Sequence, residues 1–347
     1  MSISANTTNG TRRKGVDYIQ GVAPTNPVSG MTWFDTTLNK VKVYNGSTWI
    51  DVSVEWHLGS YYGFIAGGYV SGATSNISRL MFPFDSGTAT IMGVMSQSKY
   101  STAGFNSTTY GFICGFGALS GINRIIFPFA SGTASIVGYD LGSRDMACGF
   151  NSSVHGFSSG VSLNLSYIDR LTFPFDSGTM VTIGYLDKSK NSFAAFNSSV
   201  HGFIAGGYAI SEYSTVLRVA FPFDSGTASS VGVMNISHWR NTGSNSSIHG
   251  YSMAGASGNQ RIMRLTFPFN SGTTTAAGDV VALKEWTAGF NSTTYAYMAG
   301  GSSPGLSNIE RITFPFDSGT ASSVGFLSQS MSMATGLDST DFVTQFI

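Results

Sequence analysis

Short runs of alternating apolar and polar residues fill most of the chain, and residues 191–234 show the pattern clearly. Within this stretch, residues 192–196, 201–205, 216–223 and 228–233 each have the length and apolar content of a β-strand. Asn, Asp, Ser and Gly separate the runs, and these residues favour turns because they tolerate positive φ or hydrogen-bond to the local backbone. No helical periodicity competes with the alternation, so the stretch predicts four antiparallel strands.

The third predicted strand ends in the tripeptide Phe-Pro-Phe, which recurs along the chain. Alternation places Val219, Phe221 and Phe223 of this strand on one face and Arg218 on the other. The tripeptide occurs six times at intervals of 45 to 48 residues, beginning at Phe82, Phe127, Phe173, Phe221, Phe267 and Phe314. Ser-Gly-Thr follows each copy, and three residues before each copy stands an arginine: Arg79, Arg124, Arg170, Arg218, Arg264 and Arg311. A period of this length indicates a repeat architecture.

Four strands in each of six repeats predict an all-β fold, specifically a six-bladed β-propeller with four-stranded blades. We assign it to residues 57–347, preceded by a small β-meander at 16–56 and an extended arm at 1–15. The run before Tyr62 lacks the small residues of the other first strands. We therefore expect residues 333–337 to supply the first strand of the first blade, with an extra partial blade as the alternative.

The predicted topology divides the connections into two sets. The Asn-Ser-Ser and Asp-Ser-Gly turns are short and nearly identical between repeats, whereas the other connections are longer and differ in sequence. A scaffold with one uniform and one varied face binds partners with the varied face. We expect the amino-terminal meander on the opposite face.

The meander contains no repeat, and three antiparallel strands are predicted at 33–35, 40–44 and 48–52. Asn-Gly between the last two is a strong hairpin signal. A sheet of this size is marginally stable alone, so we expect it to pack against a partner chain or against the repeats, with a simple cap on the propeller as the alternative. The aromatic residues assigned to this attachment are Trp33, Phe34, Tyr44 and Trp49.

Two resemblances add a family context. The repeats resemble those of kelch-like β-propeller proteins of marine or cyanobacterial-type tailed phages, through segments 62–68 (YGFIAGG), 103–107 (AGFNS), 169–173 (DRLTF) and 317–321 (DSGTA). The tryptophan usual in the outer strands of kelch repeats is missing, so the match to kelch proteins is one of architecture. Segment 24–35 (PTNPVSGMTWFD), with the later VYNGSTW, resembles a small module of phage tail-fibre and other virion appendage proteins.

These resemblances imply a structural protein of the virion. It would be a tail-fibre or appendage adhesin that attaches to other virion proteins through residues 1–56 and contacts a host-surface glycan or protein with its varied loops. A capsid decoration or head-fibre protein without a specific receptor is the alternative, and a propeller glycan hydrolase or lyase is a remote one. We also expect a homo-oligomer, with a trimer among the arrangements left open.

Composition excludes several other classes. The chain has 18 basic and 18 acidic residues and no net charge, which argues against nucleic-acid binding because that requires a basic face. A high aromatic content with few charges argues against disorder. No apolar run is long enough to span a membrane, and no signal peptide is expected at the start. We interpret Cys114 and Cys148 as buried free thiols.

Candidate binding residues lie in the loops that precede the first strands. Most of these loops carry a basic residue at one equivalent position, six residues before the position that is usually aromatic in the strand that follows. A partial basic ring around a channel mouth would attract anionic groups, and neighbouring aromatic rings would suit sugar faces; solvated loop charges are the alternative. Met331 occupies the sixth copy of this position and is not basic. The predicted ligand-binding set is Lys99, Tyr100, Arg144, Lys190, His238, Trp239, Lys284 and Trp286.

No catalytic, metal or cofactor site is predicted. The six repeated arginines are interpreted as hydrogen-bond donors between blades rather than as ligands. His155, His201 and His249 alternate with Tyr at one repeat position, which indicates packing rather than metal binding. No cluster has metal-ligand spacing, and no nucleotide-binding or nucleophile motif occurs, so we do not expect an enzyme.

Overall fold

A computed structural model describes residues 17–38, 40–52, 62–115, 121–140, 145–162, 165–256, 258–302 and 305–339. These residues form strands, turns and isolated bridges, and none of them is helical. The predicted all-β class is therefore confirmed. The arm predicted at 1–15 lies outside the described residues. The chain divides into an N-terminal part, Met1–Gly59, and a repeat part, Ser60–Ile347, which are described separately below.

The N-terminal part contains one four-stranded sheet. Its strands are β1 (Tyr18–Gln20), β2 (Thr32–Asp35), β3 (Lys40–Tyr44) and β4 (Trp49–Val52). The predicted meander is confirmed as β2–β3–β4, which pair antiparallel. The sheet also has a strand that was not predicted, because β1 pairs with β2 in parallel.

Trp33 anchors one face of this sheet. It is buried, its Nε1 donates to the carbonyl of Gln20 at 2.8 Å, and its ring meets the ring of Trp49 edge-on at 5.4 Å. Ile19 and Ile50 are exposed. The sheet therefore carries exposed apolar side chains that its own strands do not cover.

The repeat part consists of six groups of strands, named units 1 to 6 in chain order. Unit 1 contains β5 (Tyr62–Ala66), β6 (Thr74–Met81) and β7 (Thr88–Lys99); unit 2 contains β8 (Thr102–Asn106), β9 (Tyr110–Gly115), β10 (Gly121–Ile126) and β11 (Gly132–Tyr139); unit 3 contains β12 (Asp145–Asn151), β13 (His155–Ser162), β14 (Leu165–Thr172) and β15 (Val181–Tyr185). Unit 4 contains β16 (Ala194–Asn197), β17 (His201–Ala205), β18 (Thr215–Ala220), β19 (Gly226–Thr227) and β20 (Ser229–Val233); unit 5 contains β21 (Thr242–Asn245), β22 (His249–Met253), β23 (Arg261–Thr266) and β24 (Thr275–Asp279); unit 6 contains β25 (Ala288–Asn291), β26 (Tyr295–Ala299), β27 (Asn308–Thr313) and β28 (Ser322–Leu327). Apart from the short β19, successive strands within each unit pair antiparallel.

Unit 1 takes its first strand from the far end of the chain. The last strand, β29 (Thr335–Asp338), pairs antiparallel with β5, with Thr335 opposite Ala66 and Asp338 opposite Gly63. The sequence-based prediction that residues 333–337 complete the first repeat is therefore confirmed. The described end of the chain is thus hydrogen-bonded to the first strand of the repeat part.

The third strand of each unit is shorter than predicted. In unit 4 it ends at Ala220 rather than at residue 223, because Pro222 has no N–H to donate to the next strand. The peptide bond before each of the six repeated prolines is cis. Because the strand ends at Ala220, the two phenylalanines lie beyond it, and the predicted shared face of Val219, Phe221 and Phe223 does not extend past Val219.

The first phenylalanine of each Phe-Pro-Phe packs between neighbouring units. Its ring stacks on an aromatic ring from the second strand of the preceding unit, and the distance between ring centroids is 5.0 to 5.4 Å. The six pairs are Phe64–Phe127, Phe112–Phe173, Phe157–Phe221, Phe203–Phe267, Tyr251–Phe314 and Tyr297–Phe82. The hydrophobic core thus lies between sheets, and the sixth unit packs on the first.

The repeated arginines link the units in the same order. Each reaches the end of the next Phe-Pro-Phe: Arg79 to the carbonyl of Phe129, Arg124 to Phe175, Arg170 to Phe223, Arg218 to Phe269, Arg311 to Phe84, and Arg264 to the carboxylate of Asp317. These contacts agree with the predicted hydrogen bond between repeats and account for an arginine in every unit.

The outer strands are joined by parallel pairing. The pairs are β7 with β11, Tyr139 with Thr179, β15 with β19, Val233 with Thr273, Asp279 with Thr320, and β28 with β7. No single sheet closes on itself within the described ranges. The pairing instead runs from unit to unit, and so it covers edges that would otherwise be open to association.

The first strands also contact one another in sequence, with β8 against β12, then β16, β21, β25, β29 and again β8. Their backbones approach closely because small residues face each other. A Cβ at Gly149 would stand 2.1 Å from the carbonyl oxygen of Gly104, and one at Gly243 would stand 2.0 Å from that of Ala195. These glycines are therefore required by distance between backbones.

Candidate functional site

The predicted basic register is buried. Lys99, Lys190, His238 and Lys284 are each at most 2 % exposed, and the Arg144 side chain lies outside the described residues. The expectation of a solvent-facing cationic ring is therefore wrong for these four residues. Nor are they solvated loop charges, the alternative that the sequence left open.

Acidic partners and lowered pKa values explain why these side chains are tolerated in the interior. The Nζ of Lys284 lies 2.7 Å from Oε1 of Glu310, and both side chains are fully buried. The Nζ of Lys190 lies 3.7 Å from Asp187. Burial lowers the pKa of Lys190 to about 8 and that of His238 to about 4. Removing charges from water is costly unless they are paired or neutralised, so these groups serve the structure.

A second set of equivalent positions, the second register, lies two residues further along each loop, and its members line one cavity. Its six members all have left-handed backbones, with φ between 51° and 61°: Ser101, Met146, Ser192, Arg240, Trp286 and Met333. They line a cavity of about 110 Å³ at the start of the first strands. Non-glycine residues seldom adopt this conformation, so its presence in all six units marks a shared, fixed backbone.

Backbone hydrogen bonds connect members of this register. The N–H of Trp286 donates to the carbonyl of Arg240, that of Met333 to Trp286, and that of Ser101 to Met333, each at 2.9 Å. Arg240 donates in the same way to Ser192 at 2.6 Å. These bonds hold the backbones of five members of the register in place around the cavity.

The side chains of the register differ although the backbones are alike. Arg240 and Trp286 stand together on one side, and Ser and Met occupy the other positions. The guanidinium carbon of Arg240 lies 4.0 Å from the ring centroid of Trp239 and 5.0 Å from that of Trp286. Tyr208 stacks on Trp239 at 4.5 Å. We call Tyr208, Trp239, Arg240 and Trp286 the aromatic stack.

Two carboxylates hold the stack in place. Nη1 of Arg240 donates to both carboxylate oxygens of Glu285 at 3.1 Å, and Ser302 donates to Glu285 at 3.3 Å. Nε1 of Trp239 donates to Glu212 at 3.0 Å. The arginine is therefore fixed in its plane by cation–π contact and by a charged hydrogen bond.

Polar atoms in the cavity wall lack protein partners. They are Oγ1 of Thr102, Oδ1 of Asn241, Oγ1 of Thr287 and Nε of Arg240. Buried polar groups are normally hydrogen-bonded, to ordered water when no protein group is near. A cavity of about 110 Å³ has space for about three or four water molecules.

The opposite end of the first strands carries a ladder of amides. A backbone N–H of one strand meets the Asn side chain of the next in the pairs Asn106–Asn151, Asn151–Asn197, Asn197–Asn245 and Asn245–Asn291, at 3.3 to 3.4 Å. Asp338 takes the sixth position, and its Oδ1 accepts from Nδ2 of Asn106 at 3.3 Å. Burial raises the pKa of Asp338 to about 7, although hydrogen bonds from Asn291 and Asn106 oppose the change.

The structure separates the predicted binding residues. Trp239 and Trp286 meet in the aromatic stack, whereas Tyr100 lies against Tyr69 at 5.6 Å. Sequence reasoning missed Arg240, although it stands where the other units have Ser, Met or Trp. It also missed the roles of the residues that position the stack: Tyr208, Glu212 and Glu285.

The attachment residues Trp33, Phe34, Tyr44 and Trp49 lie on β2, β3 and β4 of the N-terminal sheet. Tyr44 contacts Trp49 at 5.4 Å. Three of these residues therefore pack within their own sheet. Their contact with another chain remains a prediction.

The sequence matches no protein-family model and no curated protein. Within the described ranges, no helix has the length and apolar character needed to cross a membrane. In the same part of the chain, no group of three or more His, Cys, Asp or Glu side chains is arranged to hold a metal ion.

Proposed function

We propose that the six units form a six-bladed β-propeller whose first blade is completed by β29. Four series of contacts support this arrangement: the first strands, the arginine links, the stacked aromatic pairs and the pairing of outer strands. Each series runs from unit 1 to unit 6 and returns to unit 1. Radial closure of this kind leaves few exposed sheet edges.

We further propose that the protein is a virion adhesin of a tailed phage, part of a tail fibre or similar appendage. The N-terminal sheet attaches to another virion protein, and the repeat part contacts a host-surface glycan or protein. The resemblance to phage appendage modules motivates the location. The exposed Ile19 and Ile50 support an attachment role, because apolar side chains on a small sheet favour contact with a partner.

The observation that carries the binding role is the aromatic stack. Tyr208 lies in a loop between a second and a third strand, whereas Trp239, Arg240 and Trp286 lie in loops that precede first strands. Both kinds of loop belong to the set of connections that varies in sequence between units. Trp239, Arg240 and Trp286 are partly exposed, and aromatic and arginine side chains dominate binding energy at interfaces. The residues of the stack differ from those at the equivalent positions of the other units, as expected for a binding site on a repeat scaffold.

Cell binding tests this proposal. Fluorescently labelled full-length protein is incubated with a panel of marine bacteria and cyanobacteria, and the bound fraction is measured for the wild type and Trp239→Ala. Loss of Trp239 removes the support for both Tyr208 and Arg240, so we expect at least about tenfold weaker binding to the cells that the wild type recognises.

Tyr100→Ala is the matched control, because Tyr100 occupies the repeat position of Trp239 in another unit and lies outside the stack. It should bind like the wild type. Equal binding by Trp239→Ala and wild type would contradict the adhesin and favour a decoration role. Polysaccharide cleavage by the purified protein would instead favour the enzyme.

A further inference from the structure

We propose that the aromatic stack recognises a neutral glycan, with the Arg240–Glu285 pair gripping two adjacent hydroxyl groups and Trp286 packing against the sugar's C–H face. This inference rests on the proposed binding function and specifies its ligand chemistry. It follows from the hydrogen-bonding capacity, the available ring surface and the charge balance of the site.

The pair offers both a donor and an acceptor at one place. Nη1 of Arg240 contacts both oxygens of Glu285, and the two side chains retain 30 % and 15 % of their exposure, respectively. A guanidinium can only donate and a carboxylate can only accept. Two neighbouring sugar hydroxyls, each able to donate and accept, complement such a pair.

Trp286 supplies the apolar surface. Both faces of Trp239 are in contact, one with Tyr208 and one with Arg240, so that ring supports the site rather than contacting a ligand. Trp286 is partly exposed and lines the cavity. Its backbone is held by hydrogen bonds to Arg240 and Met333. Its ring also contacts the guanidinium of Arg240 at 5.0 Å, and a ring held in this way loses little conformational freedom when it binds.

The charge balance favours a neutral ligand over an anionic one. Arg240 is paired with Glu285, the nearby Lys284 is buried against Glu310, and Glu212 adds a further acidic group beside Trp239. The binding of a polyanion requires a concentration of unpaired cations. The stack provides one arginine that already has a partner, so sulfate or carboxylate groups gain little from it.

The cavity beside Arg240 and Trp286 would hold ordered water next to the ligand. Its volume of about 110 Å³ is that of about three or four water molecules. The unpartnered oxygens of Thr102, Asn241 and Thr287 would hydrogen-bond such water. The sugar binds on the side of this cavity that Arg240 and Trp286 line.

A polysaccharide array tests the inference. It carries neutral dextran, mannan and galactan beside anionic dextran sulfate and alginate, and full-length protein is applied at low and high salt. We expect binding to at least one neutral polysaccharide and little change with salt, because screening weakens only charge-dependent contacts. Trp286→Ala and Arg240→Lys should each weaken binding at least about tenfold, since lysine keeps the charge but loses the planar fork.

Tyr100→Ala is again the matched control, because Tyr100 contacts Tyr69 and lies outside both the stack and the cavity lining. It should bind like the wild type. Binding only to dextran sulfate or alginate, or neutral binding that Trp286→Ala leaves intact, would overturn the inference. Absence of binding to every polysaccharide would also overturn it, whereas Trp239-dependent cell binding would still support the adhesin.

Discussion

Replacing Asp338 with asparagine should stabilise the protein above neutral pH and leave it nearly unchanged in mild acid. Five units have Asn at this position, and Asp338 alone brings an ionisable group to the ladder. The D338N variant restores the uncharged amide at nearly constant size. It therefore tests whether the ionised carboxylate lowers the free energy of unfolding.

The sign follows from the direction of the pKa change. Burial raises the pKa of Asp338 to about 7, whereas the pKa of an aspartate in the unfolded chain is about 3.9. Between these values the native state holds more protons than the unfolded chain, so the free energy of unfolding falls as pH rises from about 4 to about 7. Above pH 7 the full cost persists, and below pH 4 it is absent.

The magnitude is about 4 kcal/mol at most, from a cost of about 1.4 kcal/mol per pKa unit. Asp338 as a residue is half-buried rather than fully buried, so this value is an upper bound. We therefore expect D338N to raise the free energy of unfolding by about 2 to 4 kcal/mol at pH 8 and by almost nothing at pH 4.

Urea unfolding followed by tryptophan fluorescence at several pH values measures this difference. Asn245→Asp is the reverse variant, since it adds a second carboxyl to the ladder and should destabilise the protein at pH 8 more than at pH 4. A difference between D338N and wild type that does not change with pH would refute the reasoning.

Two further predictions concern packing. Glu310→Gln should lower the free energy of unfolding by about 3 to 5 kcal/mol in urea titrations, because it leaves the Lys284 ammonium buried without its counter-charge. A Lys284→Met/Glu310→Gln double variant removes that ammonium while the Gln oxygen can still accept from the backbone of Val281, so its failure to recover most of this loss would contradict the explanation. Gly243→Ala should cost at least about 2 kcal/mol by thermal unfolding because the new methyl meets a neighbouring carbonyl at 2.0 Å. Gly72→Ala meets nothing within 4 Å and should change stability by less than about 0.5 kcal/mol, so equal effects of the two alanines would contradict the close-approach argument.

The repeat made most of the strand pattern predictable. Phe-Pro-Phe follows the third strand of every unit, and its regular spacing defines the six units. The pairing of β29 with β5 could also be inferred, because one unit lacked a first strand and the chain end carried a spare one. The parallel strand β1 was missed because three residues, Tyr18–Gln20, carry no alternation that distinguishes a strand from a loop.

The site was less predictable because its contacts join distant loops. Nothing local indicates that Lys284 turns inward to meet Glu310, 26 positions later. A lysine in a loop is usually exposed to solvent, so residue type alone predicted an exposed side chain at Lys284. The aromatic stack combines residues from three separate loops, and only Trp239 and Arg240 are adjacent in sequence. One sequence signal was available: Arg240 differs from the Ser, Met and Trp residues that occupy the same position in the other units.

Completion of unit 1 by β29 has a consequence for how the chain is made. During synthesis, β5 emerges early, but its partner Thr335–Asp338 leaves the ribosome only after the other repeats. Until then β5 presents an unpaired backbone edge, which can accept an equivalent strand from a second nascent copy. Crowded translation of one message therefore favours exchange of β29 between copies, and dilution favours the self-closed monomer.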